Sequence, residues 1–345
     1  MHGVCGRELC DLFPVREVNG MTADIISLAH GSGGREMVDL ITSYHLPFRG
    51  KWENYDNDAA TLDIGNGQLL VFTTDSFIVT PLFFPGGDIG HIAMCGTIND
   101  LAVLGAQPIG LSLALVIEEG FSTKQLDTIL ASIKKISRQT KIPVVTGDTK
   151  VMEKGTLDKI MINTSGVGLV KKTEVLTKKV NKGDKVILSG GLGEHAVALL
   201  SKRFDYETSI KSDSQPIIEE VQRVKKLIKM AKDPTRGGIA ATMNEMCQRQ
   251  NIGMLLDEES IPVKPGVRKV TELLGINLYE LACEGRFLCI ASNQNAHKVE
   301  RVLKSYNKDA SIIGEVTTGN SVIIQSVLGK RILPVPSGRI VPRIC

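Results

Sequence analysis

Five aspartates stand where a carboxylate could meet a metal ion, and none of them belongs to a run of charge. They lie among small or apolar residues: Asp58 in DNDAATL, Asp75 in TTDSF, Asp100 in TINDLA, Asp148 in VTGDTK and Asp233 in KDPTRGG. Mg²⁺ takes oxygen ligands, usually one or two carboxylates together with phosphate oxygens. Any one of these aspartates alone is more typical of a helix cap or a turn. The five together favour a magnesium–nucleotide site.

Three glycine-rich stretches could bring backbone N–H groups close to an anion, but none has the GxxxxGK[ST] spacing of a P-loop. Gly191, Gly193 and Ala196 match part of a dinucleotide fingerprint, yet no strand with an acidic end follows, so an ordinary strand-to-helix turn is favoured. The stretch HGSGGREM, which contains Gly33 and Gly34, precedes an amphipathic helix. Spacing alone leaves two interpretations open: a lid over phosphates, or a flexible loop before the helix.

Two further clusters place charge next to glycine. In DPTRGG, Arg236 precedes two glycines at a predicted helix start, where a guanidinium and the helix dipole could both meet an anion. In CEGRF, Glu284 and Arg286 stand just before an apolar strand. This pair is equally consistent with a proton acceptor beside a cation and with the solvated end of a strand.

The chain ends in VPSGRIVPRIC, so its last residue is a cysteine, Cys345. An ordinary exposed thiol has a pKa of about 8.5; here the terminal carboxylate disfavours the thiolate and Arg343 partly offsets that effect. Prenylation is excluded, because its signal places the cysteine four residues from the end. Ten extended residues at about 3.1 Å each reach about 30 Å. The tail could therefore carry a thiol between two sites, or simply end in a stray surface cysteine.

Length and composition describe the protein that must position these groups. At 345 residues the chain predicts two domains of roughly 150 residues each. Its 41 lysines and arginines barely exceed its 38 aspartates and glutamates, which gives little support to a nucleic-acid surface. No apolar stretch approaches the roughly 20 residues of a membrane span and no signal-peptide pattern is present, so we expect a cytoplasmic protein.

The cysteines indicate a reducing compartment. There are seven of them, an odd number without a CxxC pair, which does not match a disulfide framework. The spacing of Cys5, Cys10, Cys283 and Cys289 is not one that a zinc site normally uses.

From residue 25 onward, β-branched runs alternate with helical spacing, which is typical of α+β or α/β folds. The first series predicts strands at LLVFTTDSFIV, IGLSLALVIEE, IPVVTGD and KIMINTSGVGLV, and helices at DIGHIAMCGTINDLAVLGA and STKQLDTILASIKKISRQT. A second series begins at KVILSG and includes predicted helices near 194–203 and 216–231. The predicted organisation is an extension of unknown role (1–24), an N-terminal domain (25–175), a C-terminal α/β domain (176–333) and a flexible tail (334–345).

Several motifs, taken in chain order, resemble the HypE family of hydrogenase-maturation proteins: LAHGSGGREM, FTTDSFIVTPLFFPGGDIG, CGTINDLAVLGAQP, VTGDTKVMEKG, KDPTRGG, PVKPGVR and the terminal PRIC. The resemblance runs from about residue 25 to the last residue. HypE belongs to the PurM-like ATP-binding superfamily, together with aminoimidazole ribonucleotide synthetase, selenophosphate synthetase and thiamine-monophosphate kinase.

The resemblance implies a PurM-like α+β fold. In that fold an N-terminal ferredoxin-like sheet domain forms a barrel across a homodimer, and ATP and Mg²⁺ bind near the dimer interface. It also implies that a carbamoyltransferase, HypF, loads a carbamoyl group onto Cys345. The protein would then use ATP to dehydrate this S-carboxamide to an S-cyanate (thiocyanate). The cyanide would pass to iron on the HypC–HypD complex, for the [NiFe] hydrogenase centre.

The resemblance also assigns residues, position by position. It gives Asp75, Asp100 and Asp233 to the metal, and Cys345, Glu284 and Arg286 to catalysis, with Glu284 as the base. Nucleotide contacts would come from Gly33, Gly34, Asp58, Asn99, Asp148, Thr149, Lys150 and Arg236. Two positions depart from the family pattern, because His91 and Arg286 stand where lysine is usual. The second departure puts proton donation by Arg286 in doubt.

Two other functions stay open at this point. Another ATP-using enzyme of the same fold, such as a selenophosphate synthetase or a kinase of a small phosphate ester, would have no need of a terminal thiol. A non-catalytic scaffold would bind maturation partners through the tail without turning over ATP.

Overall fold

The computed structural model describes residues 25–43, 50–338, 341 and 343–345. It contains two mixed sheets with helices packed on them, one from residues 52–171 and one from residues 185–333. The predicted α+β class with two domains is confirmed. The predicted extension at 1–24, including Cys5 and Cys10, lies outside the described residues.

In the described part of the chain, the N-terminal sheet has six strands in the order β1-β2-β3-β8-β6-β7. The β6–β7 pair is parallel and the other pairs are antiparallel. Side chains of the central strands alternate between buried and more exposed, because helices cover one face of the sheet. The strands, with a small separate hairpin of β4 and β5, are β1 Trp52–Glu53, β2 Ala60–Gly65, β3 Gln68–Phe77, β4 Phe83–Phe84, β5 Gly87–Asp88, β6 Gln107–Glu118, β7 Val144–Met152 and β8 Ile160–Lys171.

The helices of this domain within the described residues are α1 Arg35–Ser43, α2 Ile89–Val103 and α3 Thr123–Thr140. Nearly every residue of α2 is buried, because it packs on β3 and β8, on α3, and on the C-terminal domain. A helix covered on all sides needs no amphipathic pattern. Helix α2 therefore carries Asp100 into the region where the two domains meet.

The C-terminal sheet has the strand order β10-β12-β9-β13-β11-β14-β15. Its strands are β9 Lys185–Leu188, β10 Ile228–Lys232, β11 Gly253–Asp257, β12 Leu288–Ala291, β13 Ser311–Thr317, β14 Val322–Ser326 and β15 Gly329–Leu333. Its helices are α4 Glu194–Arg203, α5 Ile218–Val224, α6 Gly238–Gln250, α7 Pro265–Leu274 and α8 Asn293–Lys304. No helix in the described part of the chain is both long enough and apolar enough to span a membrane.

The helix predicted near 216–231 is wrong in its second half. Helix α5 ends at Val224, and residues 228–232 form β10, which pairs with β12 at one edge of the C-terminal sheet. The segment IKMAK is compatible with either state, and pairing with β12 buries Ile228 and Met230 in a way that a continued helix would not. This strand delivers Lys232 and the following loop to the domain boundary.

The two domains share a continuous apolar core. It includes Ile98 and Leu101 from α2, and Val221 and Val224 from α5. Ile344 of the C-terminal tail belongs to the same core and is almost fully buried. The tail is therefore packed into the molecule at the boundary between the domains.

Candidate active site

A cavity of about 280 Å³ opens between the two domains. Most of the carboxylates singled out in the sequence line it, and so does the terminal cysteine. Its ionisable lining consists of Asp58, Asp75, Asp100, Asp233, Glu245, Glu284, Lys232, Arg236 and Cys345. Among the described residues, six carboxyl groups therefore face two basic side chains, an excess of acidic groups that a cation or a cationic complex could neutralise.

The ionisable side chains of the cavity come from several separate elements of the two domains. Asp75 lies in β3, and Asp100 lies in the buried helix α2. Lys232 is the last residue of β10, and Asp233 and Arg236 follow in the loop before α6. The site forms only because the two domains are packed together, so residues 158 positions apart in the chain, counted from Asp75 to Asp233, share one cavity.

Asp100 is held by Thr73. The Thr73 Oγ1 atom lies 2.8 Å from the carbonyl oxygen of Asp58 and 2.8 Å from Oδ2 of Asp100. A hydroxyl group has a single proton, so both contacts are full hydrogen bonds when Asp100 is protonated and itself donates to Thr73. Burial, reinforced by the charges of neighbouring aspartates, raises the pKa of Asp100 well above its usual range.

The pKa values of three other carboxyl groups in the cavity are shifted in the same direction. Burial raises the pKa of Asp75, Asp233 and Glu284, and the nearby carboxylates add to the effect in each case. Arg236 opposes the rise at Asp75 and Glu284. Two buried oxygens, Oδ2 of Asp58 and Oε1 of Glu284, have no hydrogen-bond partner among the described residues. Such groups are ready to bind a proton, a cation or a substrate N–H.

The chemistry of this lining fits Mg²⁺, which takes hard oxygen ligands. Within the described ranges, however, no three His, Cys, Asp or Glu side chains converge into a complete metal site. The carboxylates of Asp75, Asp100 and Asp233 could hold Mg²⁺ only together with phosphate oxygens or water, which is the usual arrangement for a nucleotide-bound ion.

Lys232 was not identified as a site residue from the sequence. Its ammonium group forms an ion pair with Asp58 and lies 3.3 Å from Oε2 of Glu245. Burial disfavours the charged amine, but the charges of Asp58 and Glu245 outweigh it and raise the pKa of Lys232. The one available signal was its position next to Asp233 in KDPTRGG.

The end of the tail runs antiparallel to the segment after β3. The backbone N–H of Thr80 donates to the carbonyl oxygen of Arg343 at 3.1 Å, and that of Ile78 donates to Cys345 O at 3.3 Å. The Arg343 guanidinium donates to Ile78 O at 2.9 Å and pairs with Asp158. These contacts place the Cys345 side chain in the cavity.

The thiol sits among charged groups. Burial raises the pKa of Cys345, and the nearby Glu284 and Asp75 add to this, while Arg236 acts in the opposite direction. When the sulfur is a thiolate, its charge is the main reason why the pKa of Arg236 is raised, ahead of the charges of Asp75 and Glu284. With the tail docked, that is, with the Cys345 side chain in the cavity, a neutral sulfur is favoured over a thiolate. The sulfur can then be the thiol or a neutral thioester-like derivative.

The glycine-rich segment predicted as a lid or a loop covers this region. It follows a 3₁₀ turn at Leu28–Gly31, and Gly33 has a φ of 81°. A Cβ atom on Gly33 would lie 2.5 Å from the backbone carbon of Arg236, and one on Gly34 would lie 2.6 Å from the carbonyl oxygen of Pro336. Glycine is required at both positions because the segment packs directly on the site loop and on the tail.

Asn99 and Arg286 lie behind the cavity and do not line it. The Asn99 amide donates to the carbonyl oxygens of Gln215 and Glu284, at 3.1 Å each. Arg286 donates to Oε2 of Glu194 at 2.9 Å. In this arrangement Asn99 positions the backbone of Glu284, and Arg286 forms a buried ion pair with Glu194.

The structure does not bring Asp148, Thr149 and Lys150 to the cavity within one chain. They lie on β7, an exposed edge strand, where Asp148 and Lys150 form an ion pair at 2.8 Å. His91, which departs from the family pattern, lies with its Nε2 2.9 Å from the carbonyl oxygen of Ser214. It thereby links α2 to the C-terminal domain.

A second cavity of about 590 Å³ adjoins the first and shares several lining residues with it, including Met37 and Lys232. Its walls are more apolar and include Ile41, Tyr55 and Met246. An apolar cavity next to a strongly polar one suits a ligand with an aromatic part and a charged part.

Comparison with known proteins identifies the same two units. Residues 56–170 match the model of the AIR synthase related protein, N-terminal domain, and residues 181–326 match that of the C-terminal domain. A protein of Bradyrhizobium diazoefficiens called "Carbamoyl dehydratase HypE" is 42% identical over 333 residues, which cover 93% of this chain and 96% of that protein.

Solved structures agree with this match. A chain in the "Crystal structure of HypE-HypF complex" superposes with a TM-score of 0.81 at 38% identity, covering 86% of this chain and 99% of that one. The "Crystal Structure of Hydrogenase Maturation Protein HypE in complex with ATP" superposes with a TM-score of 0.78 at 34% identity, covering 93% of this chain and 100% of that one.

Proposed function

The chain belongs to the HypE family of carbamoyl dehydratases, within the AIR synthase related proteins, and on this premise we propose the reaction that it carries out on its own C-terminus. It is an ATP-dependent carbamoyl dehydratase of hydrogenase maturation. The carbamoyl group is carried on the sulfur of Cys345. The single observation that supports this assignment most directly is that Cys345 lines the same cavity as Glu284, Arg236 and the aspartate cluster.

The reaction removes the elements of water from an S-carboxamide. The amide oxygen attacks the γ-phosphorus of ATP, ADP leaves, and the nitrogen gives up one proton, so that an O-phosphorylated imidate forms on sulfur. The nitrogen then loses its second proton, the C–O bond breaks, and phosphate departs with the electron pair. The products are an S-cyanate on Cys345, ADP and phosphate. Phosphorylation is needed because oxide is a poor leaving group and phosphate is a good one.

Glu284 is the base that takes protons from nitrogen. Its Oε1 is buried without a hydrogen-bond partner in the described structure, and burial raises its pKa, so the carboxylate binds a proton more readily than an exposed one. Arg236 lines the same cavity as the thiol, where a guanidinium can stabilise negative charge that develops on the transferred phosphoryl group. The packed tail and the glycine-rich segment exclude water, which would hydrolyse the activated carbamoyl group.

The nucleotide site combines the polar cavity with its apolar neighbour. Asp75, Asp100 and Asp233 would hold Mg²⁺ together with phosphate oxygens, and Mg²⁺ would neutralise the phosphate charge. Gly33, Gly34, Asp58 and Arg236 would contact ATP from the surrounding loops. Asn99 serves through its hydrogen bond to the backbone of Glu284. We propose that Arg286 acts as a charged group behind Glu284 and not as a proton donor.

A homodimer would complete the site. The exposed edge strand β7 supports this proposal, because an edge that pairs with no further described strand and carries apolar side chains such as Val145 and Val151 is a surface for a second chain. Asp148, Thr149 and Lys150 would then contact nucleotide in the dimer, within a barrel shared by the two N-terminal sheets.

The partners follow from the chemistry of the tail. HypF supplies the carbamoyl group, in line with the HypE–HypF complex solved for a relative. The HypC–HypD complex would receive the cyanide for the iron of the [NiFe] centre, and we assign the protein to the cytoplasm. Both deliveries need Cys345 outside the cavity, whereas dehydration needs it inside.

Mass spectrometry of the C-terminal peptide tests the function. After incubation with HypF, carbamoyl phosphate and Mg-ATP, Cys345 should first gain roughly 43 Da and then lose about 18 Da as water is removed. The Cys345→Ala variant should show neither change. A wild-type protein whose mass never falls with Mg-ATP, or a Cys345→Ala variant that still acquires the group, would refute the assignment.

A further inference from the structure

His195 joins the C-terminal tail to the C-terminal domain. Its side chain is fully buried, with Nε2 2.8 Å from the carbonyl oxygen of Ile344 and Nδ1 2.8 Å from Oγ of Ser212. We propose that His195 is a positioning residue that holds the tail docked, with Cys345 in the cavity. The inference rests on the proposed function, because the docked tail matters to the reaction only if Cys345 carries the reacting group.

The hydrogen bonds around the ring fix its tautomer. The carbonyl oxygen of Ile344 can only accept, so Nε2 must carry a proton. Ser212 Oγ already accepts from the backbone N–H of Ser214 at 3.1 Å, and its own proton is free to be donated to Nδ1. The chain of donors therefore runs from Ser214 through Ser212 and a neutral His195 to Ile344. Burial, which lowers the pKa of His195, agrees with a neutral ring.

The ring has little freedom to find another partner. Phe84 packs edge-on against it, with ring centroids 5.3 Å apart and an interplanar angle of 88°. If the tail withdrew, the Nε2–H group would be left in a buried site without its acceptor. An unsatisfied buried donor is unfavourable enough to shift an equilibrium by about tenfold. His195 therefore biases the tail toward the docked state.

Asp213, which lies between Ser212 and Ser214, also positions the backbone of Glu284, the proposed base. The Asp213 carboxylate accepts from the backbone N–H groups of His195 at 3.1 Å, of Glu284 at 3.4 Å and of Gly285 at 3.2 Å. The residue that holds the tail and the residue that takes the proton are thus anchored on one side chain. Docking through His195 therefore brings the Cys345 sulfur to a place that is already set relative to Glu284.

Two substitutions of His195 separate hydrogen bonding from packing. His195→Gln keeps an N–H donor at the position of Nε2. His195→Leu removes that donor and puts an apolar side chain of similar size in its place. His297→Leu is the matched control, because His297 is exposed on α8 and its partner in the described structure is Glu300. The alkylation rate of Cys345 by iodoacetamide, followed on the C-terminal peptide by mass spectrometry, reports how often the tail is undocked.

We expect His195→Leu to raise the alkylation rate of Cys345, by up to about tenfold, because the donor that favours docking is lost. His195→Gln should restore most of the protection, and His297→Leu should behave as the wild type. Alkylation follows the undocked fraction of the tail and dehydration follows the docked fraction, so in His195→Leu the rise in alkylation multiplied by the slowing of Mg-ATP-dependent dehydration of the preloaded carbamoyl form should be about ten, whereas transfer of the group from HypF should not slow. This split distinguishes tail positioning from a general loss of structure.

Wild-type alkylation and dehydration rates in His195→Leu would overturn the proposal. Equal changes of the alkylation and dehydration rates in His195→Gln and His195→Leu would also overturn it, because they would show that packing of the ring, and not its N–H donor, holds the tail. If His195→Leu does not fold, Ser212→Ala decides: it removes the hydroxyl that orients the ring, and an unchanged alkylation rate would contradict the assignment. Alkylation needs no ATP chemistry, so a wild-type protein that never dehydrates its carbamoyl group would refute the proposed function while leaving this comparison informative.

Discussion

Replacing Asp100 by asparagine should stabilise the unliganded protein and remove most of its stabilisation by Mg-ATP. Asp100 is buried in α2 beside other carboxylates, and burial raises its pKa well above the usual range. Asparagine has the same shape as a protonated aspartic acid. Its amide N–H can donate to Thr73 Oγ1, while Thr73 still donates to the carbonyl oxygen of Asp58. The substitution therefore keeps the local hydrogen bonds and removes one charge.

The sign and size of the effect follow from linkage. A carboxyl group whose pKa is higher in the folded protein than in the unfolded chain makes the fold less stable as pH rises between those two values. Each unit of difference corresponds to about 1.4 kcal/mol. Asp100→Asn removes this loss, so its gain in unfolding free energy should be small near pH 4 and should exceed about 1 kcal/mol at pH 8.

Urea unfolding at several pH values measures the first half of this prediction, and Mg-ATP thermal shift measures the second. At a ligand concentration of about 100 times Kd, binding to the folded state should stabilise the wild type by about 2.7 kcal/mol. Asp100→Asn should lose most of that stabilisation. Asp63→Asn is the control: Asp63 is exposed, and pairing with Lys172 lowers its pKa, so it should show no gain at high pH and a full response to Mg-ATP.

Two results would refute the reasoning. If Asp100→Asn were less stable than the wild type at pH 8, the carboxylate would be stabilised by a group that the cavity does not display. If the variant were stabilised by Mg-ATP as strongly as the wild type, Asp100 would take no part in metal or nucleotide binding.

Three further substitutions test other parts of the site. Glu284→Gln keeps the shape of the base and should slow dehydration about 10²- to 10⁴-fold without loss of ATP binding or carbamoyl loading, as read from mass-loss time courses; a normal rate would place the base elsewhere. Gly33→Ala should weaken ATP binding in calorimetry, because φ is 81° and the methyl group would collide with the Arg236 backbone; unchanged affinity would separate this segment from the nucleotide. Lys232→Met leaves Asp58 without its buried partner and should lower the unfolding free energy by about 3–5 kcal/mol in urea; an unchanged midpoint would contradict that ion pair.

The long elements of the fold could be read from local pattern. Helix α3 and the strands β3, β6 and β8 show clear helical or alternating spacing, and each lies where the sequence predicts it. The helix predicted for residues 228–232 is wrong for a physical reason. Five residues with two lysines carry no decisive period, and pairing with β12 settled their state. Short segments depend on their partners more than on their own propensity.

The candidate site shows the same division. Asp58, Asp75, Asp100, Asp233, Arg236, Glu284 and Cys345 could all be singled out from residue type and context, and one cavity collects them. The only signal for Lys232 was its position next to Asp233, and His195 gave none, because their importance comes from partners far away in the chain: Lys232 pairs with Asp58, and His195 meets the carbonyl oxygen of Ile344. Asp148, Thr149 and Lys150 keep their predicted role only as a proposal, since they lie on an exposed edge.

The sequence by itself determined the family, the α+β class and the set of side chains able to do chemistry, because these depend on residue identity and on spacing along the chain. Only the tertiary structure decided that the tail lies inward, which side chains hold it there and that the pKa values of Asp75, Asp100, Asp233 and Glu284 are raised. Those properties arise from distances between groups on different elements and from the exclusion of water around them. Cys345 illustrates both: its position at the end of the chain is written in the sequence, and its place beside Arg236 and Glu284 exists only in the folded protein.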